Sequence, residues 1–424
     1  MQIFLQGGQV ATEDQAPVRA DVLIEDGMIT AVGLDLEAPA SAKVYDCAGK
    51  IISPGMFDAH VHFREPGQEA KETILTGSES AIRGGVTGVV MMPNTSPSID
   101  SPAVVQRVLD AAAKCRIPVL TSGCITKNRE GKELAAIDGM RKLGVKMLTD
   151  DGDAVPDAAL LRRAMQYAGE FDLFFASHCE EPSLAGPRAL NEGAMSYKLG
   201  IQGTPALAEE IIMDRDIRLC HETNTPLHIQ HVSTKIGMET IRWWRDEMGA
   251  PVSGEVSPHH LLFIDEDIGD YDTHYKMNPP LRTEEDRAAL LQGLKDGVFR
   301  MIATDHAPHT EFEKGLAFVE APNGITGLET AVVSLFHYFI RKGEFGWDLL
   351  VNRYSAEPRR LMGLDVPTVA EGQKADLFVF NPEAETTFTR ENMASKACNT
   401  PFLNKTFSGK IETVILGSEV LFEA

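Results

Sequence analysis

The amino-acid sequence predicts an α/β protein, a (β/α)8 barrel with a smaller β domain formed by both chain ends. Three observations lead there. The chain has 424 residues, which suits a large barrel with an appendage. Eight apolar strand candidates alternate with helical stretches between residues 53 and 363. Outside that span the pattern is strand and turn only. The predicted organisation is 1–52 and 364–424 as the two parts of the β domain, with the barrel at 53–363.

In chain order, 2–5, 20–25 and 28–32 read as strands, with Asp26-Gly27 as a hairpin turn between the last two. The barrel strands are read at 55–62, 87–92, 118–123, 145–149, 173–177, 226–230, 251–256 and 299–303. Helices such as 72–83, 102–114 and 158–168 lie between them. An open doubly wound sheet would need a glycine-rich phosphate turn after its first strand, and none is present. Segment 184–203, punctuated by Gly and Pro, reads as a mobile βα loop. Strands return at 375–380, 411–416 and 419–422, and are expected to pair with the N-terminal ones.

A formal charge of −22 argues against nucleic acid, which needs a basic footprint, and against anionic membrane surfaces. No run is apolar and long enough to span a bilayer, and residues 1–8, with no basic region and no long apolar core, are not expected to be a signal peptide. The six cysteines are scattered, with no Cys-x-x-Cys pair, so a disulfide framework is not expected. A reducing, cytoplasmic setting fits this composition.

The chemistry is expected at the C-terminal strand ends, where barrel active sites lie. The first strand ends in His60-Val61-His62, whose alternate residues share a face, and Arg64 continues that parity. Asp150 and Asp151 follow the fourth strand, His178 the fifth, His231 the sixth, and Asp305, His306 and His309 the eighth. Four imidazoles and two carboxylates suit two zinc ions better than Mg²⁺ or Ca²⁺, which prefer oxygen shells. Two cations sharing a carboxylate can lower the pKa of water between them.

These segments resemble the amidohydrolase superfamily, and more narrowly the bacterial class I dihydroorotase family. The matching motifs include 58–67 (DAHVHFREPG), 92–95 (MPNT), 149–152 (TDDG), 178–180 (HCE), 230–235 (QHVSTK), 257–262 (SPHHLL), 276–282 (KMNPPLR) and 302–309. The resemblance implies that His60, His62 and Asp305 hold one zinc, that His178 and His231 hold the other, and that Asp151 bridges. It implies Asp305 as the general base. It gives substrate contacts to His62, Phe63, Arg64, Asn94, Asn278, His309, Asn323 and Gly324, with Arg64 as the fork for a substrate carboxylate. Asn323 stands where relatives often carry an aromatic residue. Other superfamily members bridge with a carboxylated lysine on the fourth strand, which makes Lys146 the alternative to Asp151.

The implied reaction is reversible hydrolysis of (S)-dihydroorotate to N-carbamoyl-L-aspartate, in pyrimidine biosynthesis. The rivals are another cyclic amidase of dihydropyrimidinase or allantoinase type, and a non-catalytic scaffold for aspartate transcarbamoylase. The same resemblance leaves open a homodimer and an association with aspartate transcarbamoylase. His259, His260 and His306 are expected beside the ligands or in packing. His221, His228, His274 and His337 are expected to be structural or exposed.

Overall fold

A computed structural model describes residues 2–424. The chain opens with β1 (Gln2–Val10), β2 (Val18–Glu25), β3 (Met28–Gly33), β4 (Lys43–Asp46) and β5 (Ile51–Pro54). The barrel strands are β6 (Met56–Val61), β7 (Val86–Met91), β8 (Val119–Thr121), β9 (Met147–Leu148), β10 (Phe174–Ser177), β11 (Leu227–Ile229), β12 (Val252–Val256) and β13 (Met301–Ile302). The chain closes with β14 (Asp376–Thr387), β15 (Thr406–Leu416) and β16 (Glu419–Glu423).

The terminal strands form one sheet in the order β16-β15-β14-β5-β1-β2-β3, with β4 beside β1. The two chain ends meet where β5 pairs antiparallel with β14, Ile52 opposite Val379. Asp26 (φ 48°) and Gly27 (φ 85°) make the two-residue turn between β2 and β3, both in the left-handed region that such hairpins require. Strand β14 is apolar on both faces. Leu377 and Val379 join Ile3, Leu5 and Val22 in a core of the sheet's own, whereas Phe378 and Phe380 face the barrel's helical layer. There the Phe380 ring lies 4.7 Å from Phe336 and 5.1 Å from Trp347.

The eight barrel strands are parallel in two runs, β6-β7-β8 and β9 through β13. Bridges from Gly123 to Leu148 and from Val61 to His306 close the ring. Phe57, Val90, Met147, Phe174, Ala176 and Met301 fill its interior, while Val61, Val89, Phe175, Ile229 and Ile302 face the helices. Phe57 and Ala59 belong to the interior, yet so do His60 and His62, which have mixed parity with them. A register shift between Asp58 and Val61 reconciles the two sets, the expected effect of a bulge beside a site.

The predicted helices are found at Ile74–Arg83, Pro102–Ala112 and Ala158–Ala168. Thr73 and Asp157 cap the first and third through their side-chain oxygens. Segment 184–203 is not structureless. It carries the helix Ala194–Leu199, and its Leu190, Met195 and Leu199 pack on Ile268 and Phe318. All six cysteines are unpaired. Among the described residues no helix is long and apolar enough to cross a membrane.

Candidate active site

At the C-terminal mouth of the barrel His60, His62, Asp151, His178, His231 and Asp305 converge, all buried. Two three-donor groups overlap there, one of His60, His62 and Asp151, the other of Asp151, His178 and His231. Asp151 belongs to both. Its Oδ1 lies 3.4 Å from His60 Nε2, 3.6 Å from His231 Nε2 and 3.9 Å from His178 Nδ1, and its Oδ2 lies 3.5 Å from His62 Nε2. Asp305 Oδ1 is 2.9 Å from His62 Nε2 and 3.5 Å from His60 Nε2. Donors about 2.0–2.1 Å from a tetrahedral metal stand roughly 3.4 Å apart, so this spacing fits a divalent metal. His60 Nε2 and Asp151 Oδ1 are buried without a hydrogen-bond partner, a state that a metal would relieve.

The electrostatics agree. Burial disfavours charge on Asp151, but His60 and its other histidine neighbours hold its carboxyl well below the usual range. Burial likewise opposes charge on His60, and Asp151 and Glu255 outweigh it and hold that imidazole well above its ordinary value.

The backbone is strained at the same place. Arg64 (φ 60°), His231 (φ 31°) and Asp305 (φ 49°) are non-glycine residues in the left-handed region. Strand β6 has ended before Arg64, so this turn, and not strand parity, aims the guanidinium. Arg64 is 8% exposed, and its Nε donates to Pro308 O at 3.3 Å. Among the described residues no carboxylate lies within ion-pair distance of it. Burial lowers its pKa to about 10, so it stays charged. It lines a cavity of about 190 Å³ with His62, Asn94, Asn278, Asp305 and His309.

The other expected residues fall as follows. Asn94 Oδ1 lies 2.9 Å from His62 Nδ1, which turns His62 Nε2 toward the metal donors. Asn278 Nδ2 lies 3.2 Å from His178 Nε2. His309 Nε2 lies 2.8 Å from Asn323 O. A carbonyl can only accept, so Nε2 carries a proton toward Asn323 O, and Arg64 Nη2 lies 3.3 Å from the same nitrogen. Asn323 thus contributes its backbone carbonyl, and Gly324 lines the cavity beside it. The Phe63 side chain turns away, fully buried in the outer core and 6.4 Å from the His306 ring, and Phe63 does not line the cavity. Lys146 is not near the donors. It is 39% exposed and pairs with Asp172, which excludes it as the bridge.

Sequence reasoning missed several neighbours. Glu255, 2% exposed, accepts from His60 Nδ1 at 2.7 Å, His228 Nε2 at 3.1 Å and the His231 amide at 3.2 Å. It orients a metal-facing imidazole through the other ring nitrogen. His228 is fully buried inside the barrel. The signal was the alternation Ser253-Gly254-Glu255 and His228-Ile229-Gln230, which sends the polar residues inward. Asp58 accepts from the amides of His60 and Thr304 at 3.2 Å and from Tyr354 Oη at 2.8 Å, and burial raises it to about 6. Arg188 lines the cavity and reaches Glu180 Oε2 at 2.6 Å. Neither His259 nor His260 donates to the cluster; His260 is held by Ser257 Oγ at 2.9 Å and Pro279 O at 3.1 Å.

The amidohydrolase family profile matches residues 51–421. The chain belongs to the amidohydrolase family. This amidohydrolase is 41% identical to a protein named dihydroorotase from Halalkalibacterium halodurans, over all of this chain and 99% of that one. It is 42% identical to a dihydroorotase from Brevibacillus brevis, over the full length of both. Among solved structures, L-hydantoinase from Arthrobacter aurescens superposes with a TM-score of 0.87 at 23% identity, covering 99% of this chain and 96% of that one. The dihydropyrimidinase from Brevibacillus agri gives 0.86 at 24% identity, covering 100% and 95%. These structures share the fold of barrel plus terminal sheet.

Proposed function

We propose that this amidohydrolase is a dihydroorotase, interconverting (S)-dihydroorotate and N-carbamoyl-L-aspartate with two zinc ions. The observation that carries this reading is the buried Arg64, which has no carboxylate partner among the described residues, beside the two overlapping donor groups. A buried guanidinium without a carboxylate partner is costly, and a substrate carboxylate relieves it. Dihydropyrimidines and hydantoins lack a ring carboxylate, so they leave Arg64 unsatisfied. The presence of all six donors disfavours a non-catalytic scaffold.

His60, His62 and Asp305 would hold one zinc, His178 and His231 the other, and Asp151 would bridge. When bound, the pair supplies Lewis acidity toward the scissile carbonyl and lowers the pKa of water. The remaining work falls to the protein. Arg64, with Asn94 beside it, fixes the ring carboxylate, and Asn278, His309 and the Asn323–Gly324 backbone bound the ring. Asp305 takes a proton from the attacking water with one carboxylate oxygen. It delivers that proton to the ring nitrogen as the C–N bond breaks. A carboxylate and a terminal ureido NH₂ result, and the second proton of the water is released to solvent, so atoms and charge balance.

The test is ring opening of dihydroorotate, with chelator and with metal restored, in wild type and Arg64→Met. Loss of a charge-assisted pair worth about 3 kcal/mol should lower kcat/KM about a hundredfold. Activity on dihydrouracil should not follow. A wild type that opens dihydrouracil better than dihydroorotate would establish the rival amidase.

A further inference from the structure

Two lysines that the mechanism does not use sit behind the substrate cavity. Lys276 is 2% exposed and Lys314 4%. Among the described residues neither has a carboxylate within ion-pair distance. Instead their ammonium groups face backbone carbonyls of one loop. Lys276 Nζ donates to Phe318 O at 2.7 Å, Val319 O at 3.0 Å and Ala321 O at 2.5 Å. Lys314 Nζ donates to Pro322 O and Gly324 O, each at 3.1 Å, and to Lys276 O at 3.4 Å. An ammonium has three N–H donors, and both lysines use all of them on carbonyls.

The loop has no sheet or long helix to satisfy those carbonyls, so the two side chains do it, with Asn399 Nδ2 also donating to Gly324 O at 2.9 Å. With the carbonyls drawn inward, the far side of the loop faces the substrate cavity. The Gly324 amide donates back to Lys276 O at 2.9 Å. Gly324 has φ +144°, and a Cβ there would stand 2.7 Å from Ala307 O and 2.9 Å from His309 Cδ2, so the backbone itself is pressed against the cavity wall. One residue earlier, Asn323 O receives His309 Nε2.

We propose that Lys276 and Lys314 are positioning residues: a buried two-lysine clamp that shapes the Asn323–Gly324 wall and so sets affinity for the cyclic substrate. This rests on the reading of that wall as part of the substrate site. Two buried cations are a poor choice for stability alone, because apolar residues of similar volume serve as well or better. Burial pushes Lys276 down to about 8, and burial with the neighbouring Lys276 pushes Lys314 down to about 7. Asp272 and Glu313 are the acids that oppose this at Lys314.

The experiment compares Lys314→Met, Lys314→Gln and Gly324→Ala with the wild-type metalloenzyme. Metal content, kcat and KM for dihydroorotate are measured, with amide exchange across 318–324. Lys314→Met should keep its metal and a kcat near wild type, raise KM about tenfold to a hundredfold through misplaced contacts, and speed exchange in the loop. Lys314→Gln keeps two donors and should recover most of the KM. A Lys314→Met protein that loses thermal stability but keeps wild-type KM and loop exchange overturns the clamp. If Gly324→Ala leaves KM unchanged, the wall does not meet substrate, and it is the functional reading of this wall that fails. If Gly324→Ala raises KM and Lys314→Met does not, the clamp alone fails. Should Lys314→Met not fold, Lys314→Gln and Lys276→Gln are judged by the same KM and exchange criteria.

Discussion

Replacing Glu255 by Gln tests whether the buried carboxylate beneath the metal donors sets their affinity. The glutamine has the same shape but one acceptor oxygen in place of two, and no charge. Its oxygen can take the Oε1 role, accepting from His60 Nδ1 and the His231 amide, at 2.7 Å and 3.2 Å in the native protein. Its NH₂ then faces His228 Nε2, which must shift its proton to Nδ1 and donate to Ser253 Oγ, 2.8 Å away. The geometry survives; the negative charge that makes His60 a strong donor does not. Partners of this kind contribute about 10–100-fold in metal affinity, which is about 1.4–2.8 kcal/mol. Glu255→Leu goes further, because His60 Nδ1–H and His228 Nε2–H are left unpartnered in the barrel, at about 1–3 kcal/mol each. The assay is metal retention against a graded chelator, followed by kcat/KM at saturating metal. The expected order of affinity is wild type, then Gln, then Leu. A Glu255→Gln protein within twofold of wild type, or a Leu variant no weaker than Gln, would refute the reasoning.

Lys146→Ala should keep full metal content and activity, show no dependence on bicarbonate, and change stability by less than about 1 kcal/mol, since its pair with Asp172 is exposed; metal loss would reinstate the lysine bridge. Chelation should abolish turnover and lower the thermal midpoint reversibly, because a metal a thousandfold above its Kd stabilises by about 4 kcal/mol; an unchanged midpoint would show that the donors hold no metal. Lys314 gives a signed pH effect. Its pKa falls from 10.5 unfolded to about 7 folded, so the unfolded chain binds more protons between those values and this residue's contribution to stability rises with pH. Lys314→Met lacks that gain, so its deficit relative to wild type in thermal midpoint should widen from pH 7 toward pH 9.5; a constant deficit would show that the ammonium is not perturbed.

Much of the site was legible locally. His60 and His62 could be paired because strand side chains alternate, and His178, His231 and Asp305 because each ends an apolar run. The Asp26-Gly27 turn and the βα alternation are equally local signals. The places where this reasoning fell short are those where a neighbour distant in sequence decides. Ala59 and His60 share the interior only because a bulge opens against β7. Arg64 is aimed by a left-handed turn, Phe63 is drawn into the outer core by the space above Gly77, and Lys146 leaves the ring toward Asp172.

The order of residues alone therefore determined which side chains end strands, and with them the candidate donors and the barrel, because strand periodicity and turn chemistry act over a few residues. Only the folded chain decided that Glu255 lies under His60, that Arg64 is buried with no carboxylate partner among the described residues, and that two lysines face carbonyls instead of water. Those are pairings across the barrel, set by closure of the ring and by what each buried polar group finds once water is gone.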